Sequence, residues 1–181
     1  MRNYILGAWE IADPVYHKLR NFTTIETKDK FPVLRVQLIR YRGPEHTLSN
    51  GELIKKGDYL IKIHLHNIRL IKYLEKVVSP TRKTLLLYQM VKNALPGLAQ
   101  FIKNHQLNQR IKGICGVTML NKLVERLGFE IKPISNTYYR LLKCCSQIPI
   151  HFLSTGRFTG VFDRTRVNYL FMSKNKLLEL A

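Results

Sequence analysis

Between Val33 and Tyr41 the chain alternates: Leu34, Val36 and Leu38 fall on one side of an extended backbone, while Arg35, Gln37 and Arg40 interrupt the other. A period of two marks a half-exposed strand, and its apolar side needs a sheet around it and a layer packed over it. The next residues supply neighbours. Arg42-Gly43-Pro44 forms a turn, His46 to Ser49 and Leu53-Ile54 flank a second turn at Asn50-Gly51, and Lys56-Gly57-Asp58 leads into a full strand from Tyr59 to Leu65. The expectation is an antiparallel meander over residues 33 to 65.

The period then changes to that of helices. One runs from Ile68 to Val77, and a longer one, with Ser79 as cap and Pro80 in its first turn, from Thr81 to His105. Pro96-Gly97 is expected to kink or divide it. A βαβ-like unit follows: strand Gly113 to Thr118, helix Met119 to Leu127, a break at Gly128, and strand Phe129 to Lys132. Ser135-Asn136 can cap a helix through Cys145. Beyond a Gly-bearing loop, Ser154 to Gly160, come a strand from Asn168 to Phe171 and a last helix capped by Ser173. At the other end, Tyr4, Ile5, Ala8, Trp9 and Ala12 recur at helical spacing, and Asp13-Pro14 starts a second piece with Val15, Tyr16 and Leu19. This opening lacks the Lys/Arg-rich polar face of a membrane-surface helix and reads as core packing. No repeat or linker divides the 181 residues. The fold expected is α+β: a single domain over residues 1–181 with a central mixed or mostly antiparallel sheet flanked by helices.

Thirty Lys and Arg against twelve Asp and Glu give a formal charge of +18. No acid lies between Glu75 and Glu125, a span that holds Lys76, Arg82, Lys83, Lys92, Lys103, Arg110, Lys112 and Lys122. A second acid-free span, Ile131 to Phe162, holds Lys132, Arg140, Lys143 and Arg157. Cations without neighbouring carboxylates keep their field, so the expected partners are anionic: an anionic polymer, a lipid headgroup or a phosphorylated ligand. No window is apolar enough to span a bilayer and the start has no signal-peptide core, which points to a cytoplasmic protein able to sit at the inner face of the membrane. Cys115, Cys144 and Cys145 are odd in number and lack a C-x-x-C spacing, as expected of reduced thiols.

Among candidate sites, His64-Leu65-His66-Asn67 closes a strand where a helix opens, with both imidazoles on one face if the strand period holds. His64 and Asn67 are the candidates for chemistry, although no nucleophile stands beside them in sequence. The plainer reading has a locally hydrogen-bonded histidine and Asn67 as helix cap. No third or fourth residue completes a metal set, so no metal is expected. Arg40 and Arg42 flank a strand end and a turn, where guanidinium geometry suits phosphate or carboxylate. Arg110 and Lys112 join them from the first acid-free span. Arg157 closes the loop Ser154-Thr155-Gly156-Arg157-Phe158-Thr159-Gly160, an anion-nest candidate that lacks the ending of a Walker A motif. No Ser-His-Asp elbow, carboxylate pair or dinucleotide fingerprint is present.

The run from Tyr41-Arg42-Gly43-Pro44 through Asn50-Gly51 and Lys56-Gly57-Asp58 to His64-Leu65-His66-Asn67 resembles the bacterial YkoP-like domain family. Leu95-Pro96-Gly97-Leu98-Ala99, Gly116-Val117-Thr118-Met119-Leu120 and Leu127-Gly128-Phe129-Glu130 extend the resemblance over most of the chain. Members stand alone or beside polysaccharide-deacetylase domains, which implies a setting related to the cell envelope; the resemblance carries no catalytic residue. The element order, with its Leu127-Gly128-Phe129-Glu130 ending, is also similar to that of GNAT-type acetyltransferases. That likeness implies acetyl-CoA as cofactor, His64 and Asn67 near the acyl group, and Arg110 near the pyrophosphate. The Arg/Gln-x-x-Gly-x-Gly/Ala loop is missing ahead of the long helix, and Arg110-Ile111-Lys112-Gly113-Ile114-Cys115 is a near match after it. The expected function is an accessory domain for an anionic envelope component or membrane surface, with no cofactor; acyl transfer and nucleic-acid binding are the alternatives, the last without an RRM, KH or helix-turn-helix signature.

Overall fold

The computed structural model describes residues 21–25, 32–119, 121–144 and 167–180, together with positions 7, 11, 14, 15 and 18, which are helical. The apolar stripe expected on Tyr4, Ile5, Ala8, Trp9 and Ala12 and the loop 154–160 lie outside the described residues.

The alternating stretch forms strand β2 (Leu34–Arg40), with the two-residue β1 (Thr23–Thr24) on its outer edge. β5 (Tyr59–Leu65) pairs antiparallel with β2 along its whole length, from Leu34 opposite Leu65 to Arg40 opposite Tyr59. The expected meander breaks between them. β3 (His46–Thr47) and β4 (Leu53–Ile54) pair only with each other, as a separate ribbon. The reason lies in their burial: Tyr41, Leu48 and Ile54 pack on Leu60, Cys115 and Phe171, so the ribbon folds over one face of the sheet instead of extending it. Glu130 fastens it there by accepting from the Ser49 backbone N–H and hydroxyl, both at 2.7 Å.

Two helices connect β5 to the next strand: α1 (Asn67–Glu75) and α2 (Pro80–Asn104). α2 is capped by Ser79, whose hydroxyl accepts from the Arg82 N–H at 3.4 Å. It passes through Pro96 undivided. Residues on both sides of the proline, Val91 and Ala94 before it and Leu98 and Ile102 after it, are buried against the sheet, and this burial offsets the hydrogen bond that proline cannot make.

β6 (Ile111–Thr118) runs parallel to β5, the single parallel pair in a six-stranded mixed sheet. After α3 (Asn121–Glu125) the backbone reverses at Gly128, whose φ of +88° favours glycine, into β7 (Glu130–Pro133). The βαβ-like unit is therefore split: β8 (Asn168–Ser173) inserts between β6 and β7, antiparallel to both. Gly113 permits that insertion, because a Cβ there would strike the carbonyl oxygen of Met172. Residues 137–144 form α4, with the Asn136 side chain accepting from the Tyr139 N–H at 2.9 Å, and α5 (Lys174–Leu180) is capped by Ser173.

The strand order β1-β2-β5-β6-β8-β7 and the helices give the expected α+β architecture. Its main core lies on one face, where Leu34, Val36, Ile61, Ile114 and Met172 meet Leu98, Ile102 and Leu177. Each such side chain contributes about 1.5–3 kcal/mol by leaving water.

Candidate functional site

The antiparallel register sets Arg40, the last residue of β2, opposite Tyr59, the first of β5. The parallel register sets Ile111 beside the same tyrosine, so Arg110 arrives immediately before it, delivered by a 3-10 turn over Asn108–Arg110. Two guanidinium groups meet one ring. Arg40 donates from Nε and Nη2 to the Tyr59 hydroxyl at 3.1 and 2.9 Å. Its Cζ lies 5.1 Å from the ring centroid and that of Arg110 lies 4.7 Å away, both within cation–π range. The Arg40 hydrogen bond, joined by the fields of both cations, holds the Tyr59 phenol below its ordinary pKa.

Lys112 follows at the same end of the sheet. The β5–β6 register slips between Tyr59 and Leu60, where Ile111 and then Gly113 serve as partners, which leaves Lys112 out of the ladder and exposed. Arg42 is exposed in the turn two residues past Arg40. The only ion pair that joins described residues is Lys132 with Glu130, at 3.4 Å, far along the chain from all four cations. Arg40 has spent two of its five N–H donors on Tyr59 and keeps three. The fifth expected member, Arg157, lies outside the described residues.

The polar segment at the other end of β5 is organised differently. His66 lies just past the strand, buried, with Nε2 2.6 Å from Nη2 of the buried Arg35. Since a guanidinium only donates, that ring nitrogen accepts. His64 sits opposite Arg35 in the ladder and meets Phe22 edge-on, with ring centroids 4.8 Å apart. The two histidines thus have separate structural surroundings. Asn67 is not the helix cap expected of it: His66 takes that position without a side-chain cap bond, and Asn67 is the first residue of α1. The His66 N–H donates to the Val33 carbonyl, which carries the β2–β5 register one pair past Leu65, while the His66 carbonyl already accepts from the Leu70 N–H of α1. His64 and Tyr59 are separated by most of a seven-residue strand, about 17 Å. Arg110 therefore stands at the opposite end of the sheet from His64 and Asn67.

One cluster was absent from the sequence reading. On the face covered by the β3–β4 ribbon, Tyr169 stacks on Tyr139 at 5.9 Å, His46 lies 5.0 Å from Phe171, and Tyr41 meets Phe171 edge-on at 5.7 Å. Burial pushes the Tyr169 phenol and the Cys115 thiol each up to about 12 and raises Tyr41 and Tyr139 as well. Burial also lowers the His46 imidazole, with Lys132 adding to the effect. These are neutral groups at physiological pH. Among the described residues, no three His, Cys, Asp or Glu gather as a metal set, and no helix is long and apolar enough to cross a membrane.

The profile of the YkoP domain matches residues 2–181. The chain belongs to the YkoP domain family. It is 41% identical over 177 residues to uncharacterised protein YkoP of Bacillus subtilis (strain 168), covering 98% of this chain and 96% of that relative. No solved structure matches this YkoP domain.

Proposed function

We propose that this YkoP domain is an accessory binding module for a phosphate-bearing, anionic component of the bacterial cell envelope, held at the Arg40–Tyr59–Arg110 end of its sheet. The observation that carries the reading is the convergence of two guanidinium groups on one tyrosine, with Arg42 and Lys112 close in sequence and exposed. Holding two like charges together costs energy in the free protein, and an anion between them relieves that cost. Tyr59 accepts from one edge of Arg40 and leaves the rest of its donor fork for a bidentate grip.

The test is a titration with poly(glycerol phosphate) at two salt concentrations. Binding should weaken steeply with salt, and Arg110→Ala should weaken it about tenfold, the scale of one charge-assisted hydrogen bond. Salt-insensitive binding, or none, removes the reading. Oligonucleotides at low salt serve as the competing polyanion: a preference for them would favour nucleic acid instead.

A second reading, acyl transfer from acetyl-CoA, draws on the single parallel pair. Pairing of β5 with β6 stops at Lys62 and Cys115, although β5 continues to Leu65 and β6 to Thr118. Ligands of sheets with parallel strands favour the crevice outside the strands' carboxyl ends, here beside His64 and Asn67. The pyrophosphate role of Arg110 does not fit this reading, given its place at the far end. An unmoved melting temperature with millimolar acetyl-CoA discards it.

A further inference from the structure

The turn between α1 and α2 carries a second basic feature, remote from Tyr59. A cleft of about 1100 Å³ lies between the two helices, lined by Arg69, Lys72, Lys76 and Arg82 together with the apolar Tyr73 and Val77. At its rim Val78 is 95% exposed and Tyr73 46%, with Leu85 57% exposed one turn into α2. A valine so fully in water gains nothing for the fold. The first turn of α2 holds no acid and includes Arg82 and Lys83, so helix dipole and side chains are positive together. Glu75, at the end of α1, is the one carboxylate in this stretch.

We infer that the α1–α2 turn docks the domain on an anionic lipid bilayer, with Val78 and Tyr73 entering the acyl boundary and the cleft cations taking lipid phosphates. Charge complementarity selects an anionic occupant. Val78 stands exposed in the turn itself and Tyr73 lines the same cleft from α1, with cations on both flanking helices, which suits a plane of headgroups better than it suits a polypeptide seated in a groove. α2 has 25 residues and spans about 37 Å, and Arg110 lies beyond its far end. Docking by this turn leaves the Arg40–Tyr59–Arg110 end clear of the bilayer.

Co-sedimentation of the full chain with phosphatidylglycerol/phosphatidylcholine vesicles tests the inference, with vesicles of phosphatidylcholine alone as reference. Binding should require the anionic lipid and should fall with salt. Lys76→Glu should weaken it by at least fivefold, in line with about 1 kcal/mol per basic residue at the surface. Val78→Asp should weaken it similarly without lowering the melting temperature, because the side chain is in water. Lys103→Glu, at the opposite end of the same helix, makes an equal change in charge and should leave most of the binding. Equal losses in all three variants, retention by Val78→Asp, or equal binding to neutral vesicles would overturn the assignment. Capture by polyglutamate with no vesicle binding would overturn it in favour of an acidic protein partner. The poly(glycerol phosphate) titration is separate, so either proposal can fail alone.

Discussion

Arginine serves two ends of the same sheet in opposite ways. Arg40 and Arg110 lie on Tyr59 at one end of the sheet, where Arg40 is exposed and keeps donors to spare, whereas Arg35, the second residue from the other end of β2, is buried against His66. Tyrosine follows the same division: the Tyr59 phenol is held below its ordinary pKa by its cations, while burial drives Tyr169 to about 12. The same residue types are thus available for a ligand where water reaches them and are committed to the fold where it does not. Total charge reports neither case.

The largest effect expected from this contrast is in alkaline stability. Cys115 and Tyr169 have folded pKa values raised to about 12, so the folded state keeps protons that the unfolded chain gives up. Their contribution is complete below about pH 9 and is lost as pH rises from there through 12; for the nearly fully buried Cys115 it is on the order of 4 kcal/mol. Denaturant melts from pH 8 to 11 should show the decline, and Cys115→Ala should flatten it. An unchanged slope in that variant would break the contrast on the buried side.

His66→Ala comes next. It leaves the Arg35 guanidinium buried without its imidazole acceptor and should cost about 2–3 kcal/mol, read as a lower denaturation midpoint, with poly(glycerol phosphate) affinity of the folded protein unchanged. A loss of affinity at constant stability would place His66 in the binding site instead. The smallest effect concerns Tyr59. In an ultraviolet titration its phenolate should appear before those of the buried Tyr41, Tyr139 and Tyr169, and Arg40→Ala should move that step upward with stability changed by less than about 0.5 kcal/mol. A large stability loss on Arg40→Ala would show that this end, too, is structural.

The strands β2 and β5, the long helix with its Ser79 cap, the Gly128 reversal and the Ser173 and Asn136 caps were all legible, because period, cap and turn chemistry act within a few residues. The ribbon of β3 and β4 was not, since two-residue strands between turns look like any meander until Leu48 and Ile54 find Leu60 and Phe171 across the sheet. Asn67 is not the cap because His66 is still held against Val33 in the β2–β5 register, a pairing of residues far apart in sequence, and the helix opens only after it.

The sequence by itself determined the α+β class, the family and the excess of positive charge, all of which are properties of residue order and composition. Tertiary structure alone decided which cations stand together. Arg40 and Arg110 are seventy positions apart and meet only because one register runs antiparallel and the next parallel, with Tyr59 shared between them. Charge sums along a chain without regard to order, but an anion senses distance, and distance between remote residues is set by strand pairing.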